Sequence, residues 1–264
     1  MKIPKLGLGT WQNTDPKRCA ESVRTALELG YRHIDTAQMY QNEEYVGQGI
    51  KQSGVPRADV FLATKVWINN LDYEGVRAST QQSLQKLHTD YIDLLYIHWP
   101  AGKYNPEGTL RAFNELREEG MIRNIGVCNF TVPLLEEAMR ISDSPIVANQ
   151  VETHPFLHQD EMGKFLQKHE MTHVAYSPLA RGRVLKAPEL AEIAEKYNAT
   201  EAQVSLAWLW SHEGLAAIPK SSNREHLQEN FEATNLRLND EDIKRIGETE
   251  KKLRIVDPGF SPNW

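Results

Sequence analysis

The chain has 264 residues, a net charge of −6 and two cysteines, Cys19 and Cys128. These figures exclude a disulfide framework and give no general attraction to nucleic acid or anionic membranes. No apolar run approaches the roughly 20 residues that span a bilayer, and residues 1–9 carry no apolar signal region, so the expectation is a cytoplasmic protein. The length suits one large α/β domain over residues 1–264.

Read in order, the chain keeps one rhythm. Short apolar runs begin near Leu6, Tyr31, Val60, Ile92, Asn124, Val147, Thr172 and Leu215, and a helical segment follows each. Asp15 caps an expected helix over 16–29, with Pro16 at its first position. The second run ends at Asp35 and leads to a helix over 43–53, closed by Gly54 and Pro56. The strand 60–65 leads to 73–87, where Val76, Leu84 and Leu87 lie near one face. The strand 91–98 precedes 106–119, and 122–129 precedes 132–141. The strand 146–152 precedes 159–169. Two helical stretches, 189–197 and 200–212, follow the strand 172–177. The last strand, 215–219, precedes 224–231 and 240–253. Eight strand–helix units with short connections predict a closed (β/α)8 TIM barrel, not an open doubly wound sheet.

In such a barrel, chemistry gathers at the C-terminal ends of the strands. Those ends read Gly9-Thr10-Trp11, Asp35 with Tyr40 in its loop, Lys65-Val66-Trp67 and His98-Trp99-Pro100. The later ends read Cys128-Asn129-Phe130, Gln150-Val151-Glu152, Tyr176-Ser177-Pro178-Leu179 and Pro219-Lys220-Ser221-Ser222. Alone, Asp35 reads as a cap, His98 as a satisfied core histidine and Lys65 as a snorkelling surface group. Asp, Lys and His ending successive apolar strands do not all fit those roles. Together with Tyr40 they suit protonation of an oxygen. The Lys65 ammonium stabilises phenolate and should lower the Tyr40 pKa, while Asp35 keeps Lys65 charged. Tyr40 then donates a proton and His98 orients the reacting oxygen, as carbonyl reduction requires. His154 and His158 are four apart but are separated by Pro155 and lack a third ligand, so they read as loop histidines and no metal is expected.

The blocks GLGTW at 7–11, GYRHIDTAQMYQNE at 30–43, TKVW at 64–67 and DLLYIHWP at 93–100 resemble the aldo-keto reductases. So do IRNIGVCNF at 122–130, NQVETHP at 149–155, AYSPLARG at 175–182 and IPKSSN at 218–223. The likeness covers essentially the full length. Within the family it points to the short prokaryotic 2,5-diketo-D-gluconate and methylglyoxal reductases, which implies a barrel without the N-terminal β-hairpin. It implies Asp35, Tyr40, Lys65 and His98 as catalytic residues, with NADPH as hydride donor. Cofactor contacts are implied at Gly9, Thr10, Asn129, Gln150, Tyr176, Ser177, Leu179, Lys220, Ser221, Ser222, Arg224 and Asn230. Trp11, Trp67, Trp99 and His98 are expected to line the substrate mouth. The glycines of Gly7-Leu8-Gly9 are not a dinucleotide fingerprint; they are expected to permit close backbone approach beneath the cofactor.

Cys128 replaces the family's usual serine beside Asn129. His226 stands where many members carry an arginine for the adenosine 2′-phosphate, leaving Lys220 and Arg224 as its cationic partners. The expected substrate is a small polar carbonyl compound, with Asn69 and Asn70 offering hydrogen bonds at the rim. The expected state is a monomer. Two other readings are a cofactor-binding regulatory barrel without turnover, and an isomerase or aldolase using Lys65 as a Schiff base.

Overall fold

The computed structural model describes residues 2–249 and 251–264. Its strands and helices follow the expected rhythm. β1 (Leu8–Gly9), α1 (Pro16–Glu28), β2 (His33–Asp35) and α2 (Glu43–Gln52) come first. β3 (Phe61–Val66), α3 (Tyr73–Lys86), β4 (Leu94–Ile97) and α4 (Pro106–Glu118) follow. Then come β5 (Ile125–Cys128), α5 (Val132–Ile141), β6 (Ile146–Glu152), α6 (Asp160–Lys168) and β7 (Thr172–Tyr176). Two helices, α7 (Pro188–Tyr197) and α8 (Glu201–Trp210), precede β8 (Leu215–Ala217), and α9 (Arg224–Glu232) and α10 (Asp240–Gly247) follow it.

Local chemistry sets the helix starts. The Asp15 carboxylate accepts from Arg18 N at 2.8 Å ahead of Pro16. Asn105 does the same for Gly108 N ahead of Pro106, and Thr200 with Gln203 forms a capping box. The last helix is shorter than expected. It ends at Gly247, and the backbone beyond turns to another partner: Lys251 N and Leu253 N both donate to Phe156 O, at 3.3 and 2.9 Å. Glu250, within the expected helix, and Met1 lie outside the described residues.

All eight strands are parallel and ordered β1 to β8. Leu6 bridges Ala217 in parallel, Gly7 N donates to Ala217 O at 2.9 Å, and Gly9 N donates to Pro219 O at 3.1 Å. The sheet therefore curls until its edges meet, in the connectivity of a (β/α)8 barrel. Alternation along each strand divides the core. Ile34, Leu62, Val66, Leu95, Ile97 and Val127 pack outward in one cluster with helix residues such as Val23, Leu27 and Leu116. Phe61, Ala63, Leu94, Tyr96, Cys128, Ala148, Val174 and Ala216 form a second cluster within the barrel. Continuing the inward series upward brings Phe61–Ala63 to Lys65, Leu94–Tyr96 to His98, and Ala148 to Gln150. An apolar plug thus supports a polar layer at the C-terminal rim.

The two early glycines serve this crowding. A Cβ on Gly7 would lie 2.7 Å from His33 Nδ1, and one on Gly9 would lie 2.6 Å from Ile218 O. Gly7 is needed for packing inside the barrel, not for a close approach to a bound molecule; only Gly9 reaches the rim.

Candidate active site

Asp35 and Lys65 are buried at the rim, on strands that lie side by side. Lys65 Nζ pairs with one Asp35 carboxylate oxygen and donates to Thr36 O at 2.7 Å. The other Asp35 oxygen accepts from Gln150 Nε2 at 2.8 Å. The Lys65 ammonium lies 5.1 Å from the centre of the Tyr40 ring. Tyr40 ends a 3-10 turn, Gln38–Tyr40, whose Gln38 Oε1 accepts from Trp67 N at 3.1 Å and from Asn70 Nδ2 at 3.2 Å. Asn70 thus braces the tyrosine's turn instead of offering its amide at the rim. His98 meets the Tyr40 ring edge-on at 5.7 Å and Trp67 at 5.2 Å, and its Nδ1 is buried without a hydrogen-bond partner among the described residues.

Burial alone would pull the Lys65 pKa down. Asp35 outweighs it, with Tyr40 and Cys128 acting the same way, and the ammonium is held above its ordinary range. Burial, then the Lys65 charge, hold His98 well below its usual value, so the imidazole is neutral. The expected lowering of Tyr40 is corrected. Loss of water pushes the phenol up to about 12, and Lys65 opposes that shift without overcoming it. Tyr40 therefore keeps its proton at neutral pH even though part of its surface faces open space. Burial also raises the Cys128 thiol well above its usual value, which leaves no reactive thiolate.

These groups form the floor of a cleft of about 820 Å³. Gly9, Thr10, Trp11, Asp35, Tyr40, Trp67, His98 and Trp99 line one part of it. Asn129, Gln150, Tyr176, Ser177, Leu179 and Lys220 line another, with Cys128 between. Lys65 lies beneath Tyr40 and supports the floor from below. Asn129 is tied inward: its Oδ1 accepts from Tyr176 OH at 2.9 Å and its Nδ2 donates to His98 O at 3.1 Å. Ser221, Ser222, Arg224 and Asn230 do not line the cleft. Ser221 Oγ accepts from Asn223 N at 3.1 Å, Arg224 opens α9 with its side chain exposed, and Asn230 is buried within that helix. His154, read as a loop histidine, is fully buried, with Nε2 3.0 Å from Glu152 Oε1.

Several cleft residues escape the strand-end logic. Arg181 and Gly182 return to the cleft because Ala180, Arg181 and Gly182 all adopt positive φ and fold the loop after β7 back on itself. Ile255, Val256, Asp257, Pro258 and Phe260 bring the tail over the mouth. Phe260 meets Trp67 at 5.9 Å and Trp99 at 5.5 Å. Aromatic residues at both ends of the short segment 260–264 were the one signal for this. A second cavity of about 210 Å³, around His173 and Trp208 between α6 and α8, shares none of the floor residues.

The sequence profile of the aldo/keto reductase family matches residues 5–251. The chain belongs to the aldo/keto reductase family. Methylglyoxal reductase DkgB of Escherichia coli O157:H7 is 44% identical over 268 residues, covering 100% of both chains. A solved protein provisionally named a 2,5-diketo-D-gluconic acid reductase B is 40% identical, with a TM-score of 0.96 over 99% of this chain and 94% of its own. Bombyx mori aldo-keto reductase, solved in complex with NADP, is 32% identical, with a TM-score of 0.90 over 97% and 92%. This aldo/keto reductase is accordingly an oxidoreductase acting on carbonyl and alcohol groups. Among its described residues, no helix is long and apolar enough to cross a membrane.

Proposed function

We propose that the protein reduces small aldehydes and ketones with NADPH, with Tyr40 as the general acid. The observation that carries this reading is the convergence of a protonated phenol and a neutral imidazole on one cleft floor, with a charge-paired lysine beneath the phenol. When bound, a reduced nicotinamide supplies the hydride. The protein's own groups manage the other half of the reaction. As negative charge develops on the carbonyl oxygen, Tyr40 donates its proton there, and the Lys65 ammonium favours the phenolate left behind. The buried, unpartnered Nδ1 of His98 favours placing the ring proton on Nε2, because an N–H without an acceptor is costly. Nε2–H can then hold the substrate oxygen.

The residues fit a dinucleotide as well as a small carbonyl compound. The cleft is larger than a three-carbon substrate needs, and it carries the cations Lys220 and Arg181 besides the aromatic floor groups. Tyr176, Asn129 and Gln150 are read as the nicotinamide face. Ser177, Leu179, Lys220 and Ser221 are read as the phosphate end, with Arg224 nearby and NADPH preferred to NADH. The methylglyoxal reductase name of the Escherichia coli relative supports a small carbonyl substrate. A regulatory barrel without turnover is not favoured, because the floor is complete. A Schiff base at Lys65 is also disfavoured: its nitrogen is buried, protonated and bound to Asp35 and Thr36 O, which removes the lone pair a nucleophile needs.

A panel of methylglyoxal, glyceraldehyde, a diketo sugar acid and a ketosteroid, each with NADPH and with NADH, tests the reading through loss of cofactor absorbance. The small carbonyl compounds with NADPH should give the highest kcat/KM. A ketosteroid favoured by about tenfold, a difference of roughly 1.4 kcal/mol in transition-state binding, would overturn the substrate assignment.

A further inference from the structure

Glu152 ends β6 and is completely buried. Among the described residues, no lysine or arginine nitrogen lies within 4.0 Å of its carboxylate. Its partners are of another kind. Oε1 accepts from Ile255 N at 2.8 Å, Oε2 accepts from Val256 N at 2.8 Å, and His154 Nε2 lies 3.0 Å from Oε1. A buried carboxylate is tolerated only when donors replace its lost water. Here two successive backbone amides of the tail supply them.

The consequence reaches the cleft. The residues whose amides are held, Ile255 and Val256, line it, and so does Phe260, which packs on Trp67 and Trp99. Trp264 extends the same layer, 6.3 Å from Trp99, with its Nε1 donating to Asp257 Oδ1 at 3.1 Å. We propose that Glu152 is a positioning residue that sets carbonyl selectivity by clamping the C-terminal tail as a wall of the cleft. This rests on the reading of that cleft as the carbonyl site. Glu152 touches no reacting atom and acts only through the tail. Tail and carboxylate depend on each other: among the described residues, release of the tail would leave the carboxylate with His154 as its remaining hydrogen-bond partner. A glutamine cannot replace the clamp, because its single oxygen serves one amide while its NH2 group faces the other N–H.

The test uses the full chain and Glu152→Gln, with two kinds of readout. Without substrate, trypsin should cut Glu152→Gln at Lys251, Lys252 or Arg254 roughly 10–100-fold faster than wild type, the factor that one lost charge-assisted hydrogen bond implies. In turnover, KM for methylglyoxal should rise about tenfold while kcat stays within about threefold, and the preference for methylglyoxal over a naphthaldehyde should fall by a similar factor. A purely structural glutamate would lower Tm and leave both KM and the preference at wild-type values; that result overturns the proposal, as do wild-type rates of cleavage. If the wild type reduces no carbonyl compound, the functional reading fails while the cleavage rates still decide the clamp. Should Glu152→Gln not fold, hydrogen exchange on the wild type decides it. The Ile255 and Val256 amides should be protected on the order of 10³-fold relative to an open segment, and exchange at open-segment rates overturns the clamp.

Discussion

Asp35 and Asp93 are both buried carboxylates of the same barrel, at opposite ends of it. Asp93 precedes β4 and accepts from Arg57 Nη2 at 2.8 Å and from Leu62 N at 3.1 Å, with Arg123 Nε 3.9 Å away. The Arg57 and Arg123 guanidiniums also lie 4.1 and 3.9 Å from the Tyr91 ring centre. Arginine stays charged at any working pH, so this cluster has no proton to move. Asp35 instead pairs with a lysine whose charge bears on a phenol facing open space. Burial and an ion pair therefore do not distinguish a site from a brace. A titratable third group and a cavity do.

Removing one cation from each end sharpens that contrast. Lys65→Met should lower kcat by about 10³, within the usual range for a disabled acid–base unit. Arg57→Ala should leave kcat near wild type and cost roughly 3 kcal/mol of unfolding free energy, as expected when a buried carboxylate loses its partner. Denaturant titration and steady-state kinetics on both variants check this. If Arg57→Ala lost turnover and kept its stability, the division of roles between the ends would fail.

The smallest expected effect is a flat line. As the proposed acid, Tyr40 must be protonated, and its raised value places loss of activity at pH well above the ordinary phenol range of about 10. His98 must be neutral, and its depressed value places the other loss below the ordinary histidine range of about 6.5. The profile of kcat/KM should therefore stay level from about pH 6.5 to 9, with activity lost as pH falls through the His98 value or rises through that of Tyr40. A limb centred inside that window would show that another group controls the reaction.

Much of this was legible in the sequence because strands alternate. Knowing that Asp35, Lys65 and His98 end strands was enough to place them on one rim; that Phe61, Ala63 and Leu94 lie beneath them emerged with the fold. The sign of the Tyr40 shift was not legible. It depends on how much water the folded rim excludes, and no spacing of residues encodes that. What holds the tail in place was not legible for a related reason. Ile255 and Val256 are held through backbone amides, which every residue has, by Glu152, which reads in sequence as the last residue of an ordinary strand. Ser221, Arg224 and Asn230 mark the opposite limit: they do not line the cleft, and the resemblance alone points to them.

The reading turns on proton donation by Tyr40, the proposed general acid. Tyr40→Phe, mixed with NADPH and methylglyoxal under single-turnover conditions, tests it most directly, with NADPH affinity measured alongside. Oxidation should slow by about 10²–10⁴ while affinity for NADPH stays nearly unchanged. A rate within a few-fold of wild type would contradict it.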